Sequence, residues 1–106
     1  LPSVLNRVQR YNWSPSSQKE CAGKTKKGSG LECDEYPFGS SHQGGLQNYK
    51  IGRVSLKPIS SSDNSKAGNK LLQFYNTCGV MRDDPIKSSF GVLAIPSAPK
   101  SYFRCP

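Results

Sequence analysis

Asp34 and Glu35 stand side by side in "LECDEYPFGSSHQGG", residues 31–45, a stretch that also holds Glu32, Cys33 and the single histidine, His42. The chain has only seven Asp and Glu against fifteen Lys and Arg, and three of those seven acids fall at 32–35. Carboxylates concentrated in an otherwise positive chain suit two tasks: taking a proton from water, and anchoring a hard divalent cation. Neighbouring side chains of an extended segment point to opposite faces. One of the pair is therefore expected to enter a cleft while the other orients a metal water, a basic side chain or a backbone amide, unless "DEY" is an ordinary solvated turn.

His42 is the sole imidazole, which excludes two-histidine ribonuclease chemistry and any zinc site built on several histidines. It is retained as an assisting catalytic residue beside Asp34 and Glu35, against the plainer reading of a surface residue in a Gly-rich loop. A second cluster lies in "SDNSKAG", residues 62–68. Asp63 and Asn64 precede a predicted helix, where Asx residues cap free amides. The same two side chains offer the hard oxygens that magnesium or manganese prefers, and Gln73 offers a further carbonyl.

These residues need elements to position them. "VLNRVQRY", residues 4–11, spaces Val4, Leu5, Val8 and Tyr11 as one helical face, predicting a short N-terminal helix. "KIGRVSLKPI", residues 50–59, reads as a strand. A helix follows from about Ser65 to Cys78, with Leu71, Leu72, Tyr75 and Cys78 on one face and Gly79 as its stop. "FGVLAIP" reads as an apolar strand ended by Pro96, and the tail after it is too proline-broken to be regular. Between Cys21 and Cys33 the chain is rich in Lys and Gly without periodicity, an exposed basic loop suited to facing a substrate.

With 106 residues, 34% of them hydrophobic, the chain is one small domain with a modest core. Four cysteines without paired C-x-x-C spacing predict two disulfides, hence an oxidising destination, in preference to reduced thiols in a cytosolic protein. The pairing is open. Cys21 with Cys33 and Cys78 with Cys105 is the arrangement that closes the basic loop and pins the C-terminus, at roughly 2–4 kcal/mol each. No apolar run approaches the ~20 residues of a membrane span. A start at Leu1 suggests a processed secreted protein or the excised end of a longer polypeptide. Net charge +8 makes a polyanion the first expected partner, a solubilising surface being the alternative.

"CDEYPF" at 33–38, then "SDNSKAG" at 62–68 and "LLQFY", resemble the NucA/NucB-type deoxyribonuclease family of secreted bacterial endonucleases and related toxin domains. The matching positions are Asp34, Glu35, Tyr36 and Pro37, then Gly44 and Gly45, then Asp63, Asn64, Ala67 and Gly68, with "FGVLAIP" as the closing strand. The resemblance spans residues 33–96. It implies cleavage of DNA by a divalent cation, magnesium or manganese, with little sequence preference. Asp34 or Glu35 is then the base, and the Asp63 and Asn64 region lies on the metal side.

The expectation is thus an α+β single domain over 1–106, disulfide-stapled, with a short antiparallel sheet and a helix following the second motif. Its motif-bearing core is 33–96, its basic loop 19–33 and its irregular tail 97–106. Catalysis is assigned to Asp34, Glu35 and His42, the metal to Asp63, Asn64 and Gln73, and phosphate contacts to Lys50, Arg53, Lys66 and Lys70. The expected partners are DNA and an acidic immunity protein; the protein is a monomer away from membranes, secreted or delivered into a target cell. Two rivals stay open: a metal-independent ribonuclease pairing Glu35 with His42, and a cationic binding or antimicrobial module without catalysis.

Overall fold

The computed structural model describes residues 3–92 and Cys105. Along the chain run β1 (Val4–Asn6), a single 3-10 turn (Pro15–Ser17), β2 (Leu31–Tyr36), α1 (Gly45–Lys50), β3 (Ser55–Ser60), α2 (Ser61–Cys78) and β4 (Ser89–Gly91). The strands form two antiparallel pairs, β1 with β4 and β2 with β3. Cys21 is bonded to Cys33 and Cys78 to Cys105. The architecture is the expected α+β fold with both staples in place.

Two apolar clusters flank the β2–β3 pair. Leu5, Tyr75, Val80 and Phe90 are buried together, with Tyr36, Phe38, Leu71 and Phe74 packed around them. This cluster ties α2 to the β1–β4 pair and to the end of β2. On the other side, Cys21, Val54 and Leu56 are buried with Trp13, Cys33 and Tyr49 against them. Both disulfides border these clusters, as befits a chain too short to bury one large core.

The helix expected over residues 4–11 is a strand instead. Leu5 is fully buried opposite Phe90, while Val4, its supposed helical neighbour, is 57% exposed. Pairing with β4 overrides a weak local helical pattern. The strand expected over 50–59 begins only at Ser55. Residues 45–50 form a short helix, too brief to carry a legible apolar period.

The main helix begins four residues before the expected Ser65. Ser60 is its cap, its hydroxyl accepting from the Asp63 amide at 3.0 Å. Asp63 and Asn64 therefore lie inside the first turn and do not cap it. Gly79 closes the helix in the left-handed region, φ 68°, donating its amide to the Tyr75 carbonyl. Of the strand read in "FGVLAIP", Phe90 and Gly91 are in β4; residues 93–96, and the tail apart from Cys105, lie outside the described residues.

Candidate active site

The β2–β3 ladder is regular, with Asp34 opposite Lys57 and Glu35 opposite Leu56. Unbroken pleating sends the two acids to opposite faces. Glu35, with Cys33, faces the Cys21–Leu56 cluster, whereas Glu32, Asp34 and Tyr36 face the side on which α2 packs. The two carboxylates do not share a cleft.

Glu35 is the acid that holds a basic side chain. Its Oε1 lies 2.7 Å from Arg10 Nη2, and its carboxylate is 8% exposed. Its Oε2 is buried with no hydrogen-bond partner among the described residues. Gly39 packs so closely over this pair that a Cβ there would stand 2.6 Å from Glu35 Oε1 and 2.8 Å from Arg10 Nη1. A carboxylate fixed in this way cannot swing to a water on the α2 side.

Asp34 is half-buried and unpaired by any contact ion bridge among the described residues. Desolvation pushes its carboxyl above the usual aspartate range, against the opposing pull of Lys57 and a backbone hydrogen bond. A base of raised pKa works closer to neutrality than an ordinary surface aspartate.

The second motif reaches the same face. Asn64 Nδ2 donates to Glu32 Oε1 at 2.8 Å, joining the first turn of α2 to the face of β2 that carries Asp34. Asp63 is exposed beside it. Glu32, Asp34, Asn64 and Asp63 thus bring hard oxygens from two elements to one edge of the molecule. No group of three or more His, Cys, Asp or Glu side chains close enough to hold a metal ion is found among the described residues. Magnesium keeps several waters and needs only one or two carboxylates, so this oxygen set suits it.

Gln73 does not join them. Ten residues beyond Asp63 at 1.5 Å per residue, it sits about 15 Å along α2, on the exposed stripe that also carries Lys66 and Lys70. His42 is exposed on the segment between β2 and α1. Its amide donates to Asn6 O at 2.8 Å and its carbonyl accepts from Asn48 Nδ2 at 3.1 Å, so its backbone is fixed, but Glu35 is partnered by Arg10 instead. Lys50 and Arg53 flank the turn after α1, both exposed.

Three contributors were not picked out from the sequence. Glu32 was available from alternation, two positions before Asp34 on the same face. Lys57 needed the strand register, and Arg10 a contact across 25 residues of chain; no local pattern announces either.

The sequence profile described as Deoxyribonuclease NucA/NucB matches residues 4–87. No curated protein and no solved structure matches the chain.

Proposed function

The chain belongs to the NucA/NucB deoxyribonuclease family, and from that premise we propose that it is a divalent-metal-dependent endonuclease whose general base is Asp34. DNA is its substrate and hydrolysis of phosphodiester bonds its reaction. The observation that carries the assignment is the contrast between the two neighbouring acids: Glu35 is held by Arg10, while Asp34 is half-buried, raised in pKa and on the face that Asn64 reaches.

In this reading Asp34 takes the proton of the attacking water. Asp63 and Asn64 would hold the cation, and Glu32, which accepts from Asn64 Nδ2, would orient the Asn64 amide toward it. A bound magnesium or manganese ion supplies positive charge to the phosphoryl oxygens. Lys57, opposite Asp34, and Lys66 and Lys70, one and two turns beyond Asp63, hold the phosphate and its neighbour. Contacts to phosphate carry no base information, which accounts for low sequence preference. The ribonuclease alternative is disfavoured, because Glu35, its base, would have to leave its ion pair with Arg10 to act.

Two disulfides favour an oxidising destination. They support reading the protein as one that acts outside the producing cell, secreted or delivered as the C-terminal domain of a larger effector, and as a monomer. Net charge +8 would suit an acidic immunity protein that covers the site. Incubating the purified protein with plasmid DNA and with RNA, each with magnesium, manganese or EDTA, tests the proposal. Cleavage of DNA that stops in EDTA and in Asp34→Ala is expected; full activity in EDTA, or in Asp34→Ala, sinks it.

A further inference from the structure

The loop between Cys21 and Cys33 carries Lys24, Lys26 and Lys27, all exposed, and none of their ammonium groups has a hydrogen-bond or ion-pair partner among the described residues. The acids nearest its two ends are already committed. Glu20 accepts from the Tyr49 hydroxyl at 2.6 Å, and Glu32 accepts from Asn64. None of the three lysines is in a contact ion pair with an acid among the described residues.

Nor is the loop a loose tether. Cys21 is fully buried at its start, and its carbonyl accepts from the Lys24 and Thr25 amides at 3.0 and 3.2 Å. Ser29 ties the exit, its amide donating to Lys26 O and its hydroxyl accepting from the Leu31 amide. Gly30 O then accepts from the Ser61 amide at 2.9 Å, which fixes the loop to the first residue of α2, two residues before Asp63. From Gly30 to Asp34 is four residues, about 13 Å along the strand. The loop is a pre-ordered positive surface bonded directly to the helix end that carries the second motif.

We propose that this disulfide-closed loop is a second phosphate-contact surface, on which Lys24, Lys26 and Lys27 hold the backbone of duplex DNA flanking the scissile bond. The proposal rests on the nuclease reading for its choice of polyanion. It adds that affinity is localised to one loop, not smeared over a uniformly basic surface, and that the loop touches phosphates the reaction leaves intact.

The test is equilibrium binding of a fluorescent 24-base-pair duplex in EDTA, from 50 to 300 mM salt, so that binding is read whether or not cleavage occurs. The wild-type protein is compared with Lys26→Ser/Lys27→Ser and with a charge-matched control in the turn before β4, Arg82→Ser/Lys87→Ser. Each phosphate contact contributes about 0.9 to the slope of log K against log salt, so the loop variant loses about two from the slope and about tenfold in affinity. The four side chains are exposed, and both variants keep the disulfides. A loop variant with the wild-type slope, a control weakened at least half as much as the loop variant, or a wild-type protein that fails to bind overturns the proposal. Absence of plasmid cleavage by the wild-type protein with magnesium or manganese would instead strike the nuclease reading, and leaves the slope comparison readable.

Discussion

Arg10 Nη2 lies 2.7 Å from Glu35 Oε1 in an unequal pair, the guanidinium side chain 60% exposed and the carboxylate 8%. Removing the two partners therefore has different consequences. Arg10→Ala strands a buried charge and is expected to cost about 1–3 kcal/mol. Arg10→Ala/Glu35→Leu removes the charge as well and should recover most of that loss, since apolar replacements of buried pairs are often close to neutral. Urea denaturation of both variants checks the order; a double variant less stable than Arg10→Ala would show that the carboxylate has another partner.

Asp34→Asn is expected to lose about 10²–10⁴ in kcat, the range of general base catalysis. Its effect on stability runs the other way. Burial raises the folded-state pKa of Asp34, so the folded chain binds the proton more tightly than the unfolded one. The contribution of this group to stability is full below the ordinary aspartate pKa and is lost as pH rises through the raised value. At neutral pH the ionised side chain is a burden, and Asp34→Asn should be at least as stable as wild type there, with the difference closing as pH falls into the carboxylate range. Thermal melts across pH beside the cleavage assay test this. The acid limb of the wild-type kcat/KM profile should also lie above the ordinary aspartate range.

Gly68 lies inside α2, exposed, with nothing within 4 Å of an added Cβ. Glycine at such a place costs about 0.5–1 kcal/mol relative to alanine, so Gly68→Ala should stabilise the protein by that amount. It sits one turn after Asn64 on the same helical face, and the added methyl would narrow the approach to that amide. A stabilised variant with a raised KM for DNA is the expected pairing, read by urea denaturation and steady-state cleavage.

How far the sequence disclosed this arrangement depends on the range of the interaction. The stop at Gly79 and the body of α2 follow from local chemistry and were legible; that the four cysteines form two staples was legible too, but which cysteine pairs with which was not. The N-terminal strand was not, because Leu5 takes its conformation from Phe90, 85 residues away in register. In the site, the opposition of Asp34 and Glu35 follows from the pleat, a local rule. Which of the two is held by a cation depends on Arg10 arriving from another segment, and nothing around "CDEYPF" signals it. Ser60, not Asp63, caps α2, and that shift by one turn turns Asn64 toward Glu32.

The Glu32–Asn64 contact, 2.8 Å at an exposed edge, should matter more to activity than to stability. An exposed hydrogen bond of this kind contributes at most about 1 kcal/mol to folding. If its work is to turn the Asn64 amide toward the cation, Glu32→Ala and Asn64→Ala each lower kcat/KM by about tenfold or more and raise the manganese concentration needed for half-maximal rate, on the scale seen when a partner of a metal ligand is removed. The double variant should fall little further than Asn64→Ala alone, because Glu32 acts only through that amide. Cleavage rates across a manganese titration for the four proteins give the cycle. Additive losses would place Glu32 in an independent role, as a direct ligand or a phosphate-repelling charge, and would remove the positioning link between β2 and α2.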